Sequence, residues 1–178
     1  MSYFEELQKA MTLLSSHPKT IFLGQAVLYE GTGLYDSLKH IPEEKRIELP
    51  VAEYFQSGLV NGIAIAGMIP VSIFPRWNFV LMGVDQIVNH LDKFVEMSDG
   101  KLFPKVIIRV AVGSERPVDP QSQHKGNFSE AFRLMTQNIE VIELFKPEQI
   151  IPAYEKALLR EDKVNTILVE FADFAKEK

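Results

Sequence analysis

Apolar residues recur at Phe4, Leu7, Met11 and Leu14, a spacing that predicts an amphipathic helix over residues 2–15, and Ser2 with Glu5 has the spacing of a capping box. After Pro18 the short apolar run Thr20-Ile21-Phe22-Leu23 predicts a strand that stops at Gly24. Gly31-Thr32-Gly33 then reads as loop before a short helix near residues 35–39. Ile47-Glu48-Leu49 is a brief strand closed by Pro50, and residues 52–67 form a helix. The second half of that helix, Ile63-Ala64-Ile65-Ala66, is apolar all round and is expected to be buried. Residues 69–74 are a strand. After Pro75 one long helix is predicted, with Val84, Ile87, Val88, Leu91, Phe94 and Val95 on its stripe and Asp85, Asn89 and Lys93 off it. Residues 105–112 are a continuous apolar run broken only by Arg109, the pattern of a strand covered on both faces.

From Gly113 to Asn127 the composition turns polar, with Pro117, Pro120 and no periodicity, so a long loop is expected, of the kind that in compact domains is functional or disordered. Asn127 with Glu130 suggests a cap that opens a helix to about Thr136, and Glu140-Val141-Ile142-Glu143-Leu144 is a strand. Pro147 can open a helix ending near Arg160, at the cost of one backbone bond at Pro152 unless the helix starts there. Residues 166–170 are the last strand, and the tail Lys176-Glu177-Lys178 is expected to fray. Strands that alternate with helices imply parallel crossover units: an α/β fold, an open and mostly parallel sheet of about six strands with helices on both faces. Such sheets bind ligands at the carboxyl ends of their strands.

With 178 residues, 46% apolar and 24% charged, the chain is long enough for one compact core, and a single domain over 1–178 is expected. Nineteen Lys+Arg against 24 Asp+Glu give a formal charge of −5 with no basic stripe, which argues against nucleic acid. The absence of cysteine removes disulfides, thiolate nucleophiles and Cys-ligated metals. The first residues lack a basic region followed by an apolar stretch, and no apolar run reaches the roughly 20 residues needed to span a bilayer, so a cytoplasmic protein without membrane contact is expected.

Motifs with known mechanics are few. There is no Walker loop and no Gly-x-Ser-x-Gly elbow, and Gly31-Thr32-Gly33 lacks the third glycine of a dinucleotide fingerprint and reads as a turn. His17, His40, His90 and His124 are far apart and none has a helical metal-ligand partner, so no metal site is expected. His17, His40 and His90 read as surface or capping residues. His124 sits in the long polar loop between Gln123 and Lys125, where packing gives no reason for a histidine; it is either a harmless loop residue or a functional one. Glu53 opens a helix, where a first-turn acid is favoured by the dipole. Of Phe74, Trp77 and Phe79, clustered around Pro75, one aromatic is expected to face a pocket and the others the core.

Taken together, Leu49-Pro50-Val51-Ala52-Glu53 before a Gly/Ala-rich helix, Phe74-Pro75-Arg76-Trp77-Asn78-Phe79 after a strand, and Asp85-Gln86-Ile87-Val88-Asn89 resemble the pyrimidine-binding domain of thiamine diphosphate enzymes. The likeness is above all to the beta subunit of the 2-oxo acid dehydrogenase decarboxylase component and more distantly to transketolase. It extends from about Thr20 to Phe171, with Gln123-His124 where that family carries a Gln-His pair.

The resemblance implies that Glu53 bonds the distal pyrimidine nitrogen of the cofactor, favouring the imino form that removes the thiazolium proton. A carboxyl in that role must hold a proton near neutral pH and so needs an apolar setting, which the Gly/Ala-rich helix is expected to provide. It further implies that Phe79 stacks on the aminopyrimidine and that His124 faces the substrate, a 2-oxo acid or sugar. Gln25 falls at a cofactor-side position where the family shows Gly-Glu-Glu and this chain has Gly24-Gln25-Ala26. The family's diphosphate and magnesium are held by a separate domain with a Gly-Asp-Gly motif. Ser98-Asp99-Gly100-Lys101 is a turn and does not match it, and neither that domain nor the family's further C-terminal domain is expected in this chain. The expectation is therefore an oligomeric enzyme subunit, catalytic through Glu53 and His124, that shares its site with a diphosphate-binding partner chain. The rival is a non-catalytic interaction or regulatory protein that keeps the fold, for which Gln25-Ala26 is the hint.

Overall fold

The computed structural model describes residues 2–113, 115 and 119–174. Six strands, β1 (Thr20–Gly24), β2 (Arg46–Glu48), β3 (Ile69–Phe74), β4 (Ile107–Val112), β5 (Ile139–Leu144) and β6 (Asn165–Phe171), form one sheet in the order β2-β1-β3-β4-β6-β5. Every pairing is parallel, so each connection is a crossover. The chain leaves β1 in one direction to make β2 and returns to the other side to make β3, which creates the switch point at which open sheets bind ligands.

Both faces of the sheet are covered. On one, α1 (Tyr3–Ser16), α2 (Gly33–Leu38) and α7 (Pro147–Leu159) bury Leu7, Met11, Leu14, Leu38, Ile150 and Leu158 against Phe22, Val71, Ile73, Ile107 and Leu168. On the other, α3 (Glu53–Ile65), α4 (Trp77–Val80) and α6 (Ser129–Met135) set Val60, Trp77, Val80 and Phe132 against Leu23, Phe74, Ile108, Ile167 and Val169. Neighbouring residues of one strand thus serve opposite cores, as the pleat requires. Ser2 closes the predicted capping box of α1 with Glu5. Pro152 lies inside α7 on its exposed side, where the carbonyl it leaves unpaired can meet water. No helix among the described residues is long and apolar enough to cross a membrane.

Several expectations change. The single long helix after Pro75 is a broken helical run: α4, a 3-10 turn at Leu81–Gly83, a π segment at Gln86–His90, a second 3-10 turn at Leu91–Lys93, and α5 (Phe94–Met97). The first break coincides with a close approach, since a Cβ on Gly83 would lie 2.3 Å from Ser57 Oγ and 3.1 Å from the Glu53 carbonyl. Asn127 does not cap α6 at its own position. Its Oδ1 accepts from the Ser129 amide and hydroxyl, Phe128 is the cap residue, and Glu130 pairs with Arg133. The apolar half of α3 is only half buried: Ala64 is in the core with Ile63 packed against it, while Ile65, 43% exposed, and Ala66 face solvent. The tail residues 176–178 lie outside the described residues.

Arg109, which looked like a flaw in an apolar strand, is the centre of a buried ion pair. Its Nε and Nη2 donate to Glu170 Oε1 and Oε2 at 2.7 and 2.9 Å, and its Nη1 donates to Ser37 Oγ at 2.8 Å. Tyr154 completes the cluster by donating to Glu170 Oε1 at 2.5 Å. Burial, followed by the Glu170 charge, pushes the Tyr154 phenol well above its ordinary range. One salt bridge thereby ties α2, β4, β6 and α7 through the core.

Candidate functional site

The four residues singled out in the sequence come off the carboxyl ends of four neighbouring strands. Gln25 follows β1, Glu53 begins the helix after β2, Phe79 lies in α4 after β3, and His124 lies in the long connection after β4. They meet as two pairs.

The first pair is Gln25 and Glu53. Both are buried, at 8% and 9% exposure, and Gln25 Nε2 donates to Glu53 Oε1 at 3.1 Å. The other Glu53 oxygen accepts no hydrogen bond from the described residues. Local chemistry fixes both ends of this contact. Gly24 has φ +147°, and a Cβ there would lie 2.1 Å from the Ile73 carbonyl, so only glycine lets β1 close down on β3 at this point. The next three amides, of Ala26, Val27 and Leu28, donate to the Glu48 carboxylate at 2.7–2.9 Å, which folds the chain sharply after Gln25. Helix α3 is held from below by Gln56, whose Nε2 donates to Ser72 Oγ at 3.1 Å and to the Ile73 carbonyl at 3.0 Å. The surroundings of Glu53 are therefore more polar than expected, because Gln25 and Gln56 lie near it while the apolar half of α3 is at the other end of the helix.

The second pair is Phe79 and His124, with ring centroids 5.1 Å apart and planes inclined at 58°. Of the three aromatics expected around Pro75, Phe79 alone is not fully buried; it packs partly against the core beside His124. Phe74 and Trp77 are core residues, and the Trp77 indole N–H donates to Ser129 Oγ at 3.3 Å. The turn after β3 also clasps the loop that carries His124. Arg76 Nη1 donates to the Gly113 carbonyl at 2.8 Å and the His124 carbonyl at 3.2 Å. Asn78 donates to the Gln123 carbonyl and accepts from the Gly126 amide, at 3.1 and 3.2 Å. A 3-10 turn at Gln121–His124 ends the segment. His124 Nδ1 is buried without a partner among the described residues. Residues 114 and 116–118 of the expected loop lie outside the described residues.

The positioning residues Gly24, Glu48, Gln56, Arg76 and Asn78 escape a reading of the sequence. A glycine ending a strand and a Pro-Arg-Trp-Asn turn are visible, but the partner atoms are remote carbonyls and amides that no spacing rule names. Among the described residues no cluster of three or more His, Asp or Glu is arranged to hold a metal ion. What the site offers is a carboxylate with one free oxygen, an aromatic ring, and an imidazole with an orphaned nitrogen. That set suits a flat, polar heteroaromatic ring: the carboxylate can meet a ring nitrogen in plane, and Phe79 offers a face for stacking.

No family model matches the chain. Individual sequences do. It is 30% identical over 132 residues to the pyruvate dehydrogenase E1 component subunit beta of Rickettsia bellii, a match covering 72% of this chain and 40% of that protein. To the mitochondrial subunit beta of Saccharomyces cerevisiae it is 28% identical over 133 residues, covering 72% of this chain and 36% of the relative. Over a shorter stretch of 93 residues it is 38% identical to the mitochondrial subunit beta of Chaetomium thermophilum, covering 49% of this chain and 24% of the relative. Among solved structures, a split-gene transketolase described as an inactive beta4 tetramer superposes with a TM-score of 0.70 at 20% identity, covering 97% of this chain and 52% of that one. The chain thus spans well under half of the curated relatives and about half of the solved structure. It is homologous to pyruvate dehydrogenase E1 beta subunits and has a transketolase-like fold.

Proposed function

From its homology to pyruvate dehydrogenase E1 beta subunits, we propose that this chain is a single pyrimidine-binding domain that supplies half of a thiamine diphosphate site in a two-chain enzyme. The observation that carries the proposal is the meeting of Gln25 with Glu53 and of Phe79 with His124 at the ends of four adjacent strands. Thiamine diphosphate, when bound, supplies the chemistry that makes or breaks a carbon–carbon bond next to a carbonyl. Glu53 would bond and exchange a proton with the distal pyrimidine nitrogen, Gln25 would orient Glu53 through its hydrogen bond, and Phe79 would stack on the pyrimidine. His124 donates a hydrogen bond or a proton to the substrate, a 2-oxo acid or sugar. A partner chain with a Gly-Asp-Gly motif holds the diphosphate and magnesium, and the assembly works in the cytoplasm.

The rival reading, a non-catalytic protein that keeps this fold, draws on Gln25: an amide cannot relay a proton to Glu53 as a carboxyl could. Reconstitution separates the two. The chain is copurified with a candidate diphosphate-binding chain that carries a Gly-Asp-Gly motif, and cofactor binding and turnover of 2-oxo acids and ketoses are measured. Cofactor binding with turnover supports the enzyme, whereas a stable complex that binds the cofactor and turns over nothing favours the rival.

A further inference from the structure

The edge of the sheet opposite Glu53 and Phe79 holds a cleft. It lies at the amino ends of the neighbouring strands β4 and β6, where residues 103–105 lead into β4 and residues 160–164 join α7 to β6, and its volume is about 350 Å³. That is the size of a small-ligand site. Phe103, Pro104 and Val164 line it with apolar surface, and Lys105, Arg160, Glu161 and Lys163 line it with charge. Three cations thus share the cleft with one acid, in a chain whose formal charge is −5. The cations differ in what they already hold. Arg160 is fully engaged: its guanidinium donates to both Asp162 oxygens at 2.7 and 2.8 Å, to Glu140 Oε2 at 2.9 Å and to Thr166 Oγ1 at 2.7 Å, which fixes one wall. Lys105 and Lys163 meet no carboxylate in an ion pair among the described residues. The half-buried Lys105 ammonium donates to the Leu158 carbonyl at 2.8 Å, one acceptor for three N–H groups, and burial lowers its pKa from the ordinary lysine value. Lys163 Nζ stands 4.0 Å from the centroid of the Phe103 ring, itself 47% exposed. It does so from a backbone with φ +66°, the left-handed region that asparagine or glycine adopts more readily than lysine.

We propose that this cleft binds a small organic anion, a carboxylate carried on a compact aromatic body. The carboxylate takes charge-assisted hydrogen bonds from the Lys105 and Lys163 ammonium groups, and the aromatic body covers Phe103, Pro104 and Val164. An inorganic anion would leave the apolar lining wet, and a neutral aromatic would leave both ammonium groups without a counter-charge. The cleft is formed before the ligand arrives, because Arg160 holds the turn after α7 and the Val106 amide donates to Asn165 Oδ1 at 2.7 Å, tying the starts of β4 and β6 together.

The site does not depend on the cofactor reading, and its test uses neither cofactor nor partner. Amide proton–nitrogen NMR spectra of the full chain are titrated with phenylacetate, with neutral phenylacetamide and with acetate. Phenylacetate is expected to shift the amides of Phe103, Lys105, Lys163 and Val164 with a Kd of about 1 mM, the modest affinity of so small a ligand, and the other two probes to bind at least about tenfold more weakly. Lys163→Asn removes one ammonium group and eases the backbone, so it is expected to weaken phenylacetate about tenfold with the melting temperature unchanged or raised. Phe103→Ser, on an exposed ring, is expected to weaken it by a similar factor. Were Lys163 present only to hold Phe103, Lys163→Asn would lower the melting temperature and leave binding as it was. That result, three probes that act alike, shifts centred on Glu53 and Phe79, or no shift in the cleft at concentrations on the order of 10 mM would overturn the proposal.

Discussion

The Gln25 side chain donates to Glu53 Oε1 at 3.1 Å, joining the loop that leaves β1 to the first residue of α3 across 28 positions of sequence. Both residues stand on backbone that is held in place. Gly24 and Glu48 fix the backbone on one side of the contact, and Gln56 anchors the helix on the other. Glu53 is thus presented at the sheet's switch point by a shell that the strands themselves hold in place.

That shell offers a pyrimidine ring two contacts and offers the diphosphate none, so the chain alone is expected to bind thiamine diphosphate with magnesium weakly or not at all. On the proposed reading, the charge-assisted contacts to phosphate and metal that dominate such affinity come from a partner chain. Titration calorimetry on the purified chain checks this. Micromolar binding without a partner would contradict the half-site account.

His124 is expected to matter to turnover and not to folding. Its loop is held through the backbone carbonyls of Gly113, Gln123 and His124 and the Gly126 amide, all bonded to Arg76 or Asn78, and His124→Ala leaves these bonds in place. A loss of about 10²–10⁴-fold in kcat of the reconstituted complex is expected, the range for a positioned acid–base group, with the melting temperature little changed. Unchanged kcat and KM would return His124 to a structural role beside Phe79.

Arg109 and Glu170 make the opposite prediction, loss of stability. Glu170→Gln removes the charge that balances a fully buried guanidinium and is expected to cost about 3–5 kcal/mol in urea unfolding. A cost below about 1 kcal/mol would mean that the pair is solvated or dispensable.

Much of this was legible in the sequence for identifiable reasons. The strand at residues 69–74 and the buried strand ending at Val112 announce themselves as apolar runs between turn residues, and their alternation with helices implies the parallel sheet that is found. Glu53, Phe79 and His124 are singled out by motif resemblance, and the structure adds the contacts of Glu53 with Gln25 and of Phe79 with His124. Three features were hidden. Residues 63–66 read as core because periodicity cannot tell a face turned inward from one turned outward when the buried side is polar. The helix after Pro75 read as continuous because its apolar stripe persists through the breaks, the first of which coincides with the approach of Gly83 to Ser57. Arg109 read as an interruption because its partner Glu170 lies 61 residues away.

The central claim is that Glu53 exchanges a proton with the cofactor's pyrimidine, and Glu53→Gln tests it most directly. The amide is nearly isosteric, can still pair with Gln25 after a flip, and forfeits at the helix start a dipole interaction of roughly 0.3–1 kcal/mol, too little to unfold the domain. The deciding measurement is hydrogen–deuterium exchange at the thiazolium carbon of thiamine diphosphate bound to the reconstituted two-chain complex. The account predicts an intact fold, retained partner binding and exchange slowed by orders of magnitude in Glu53→Gln; exchange at the wild-type rate, with only a small loss of thermal stability, would contradict it.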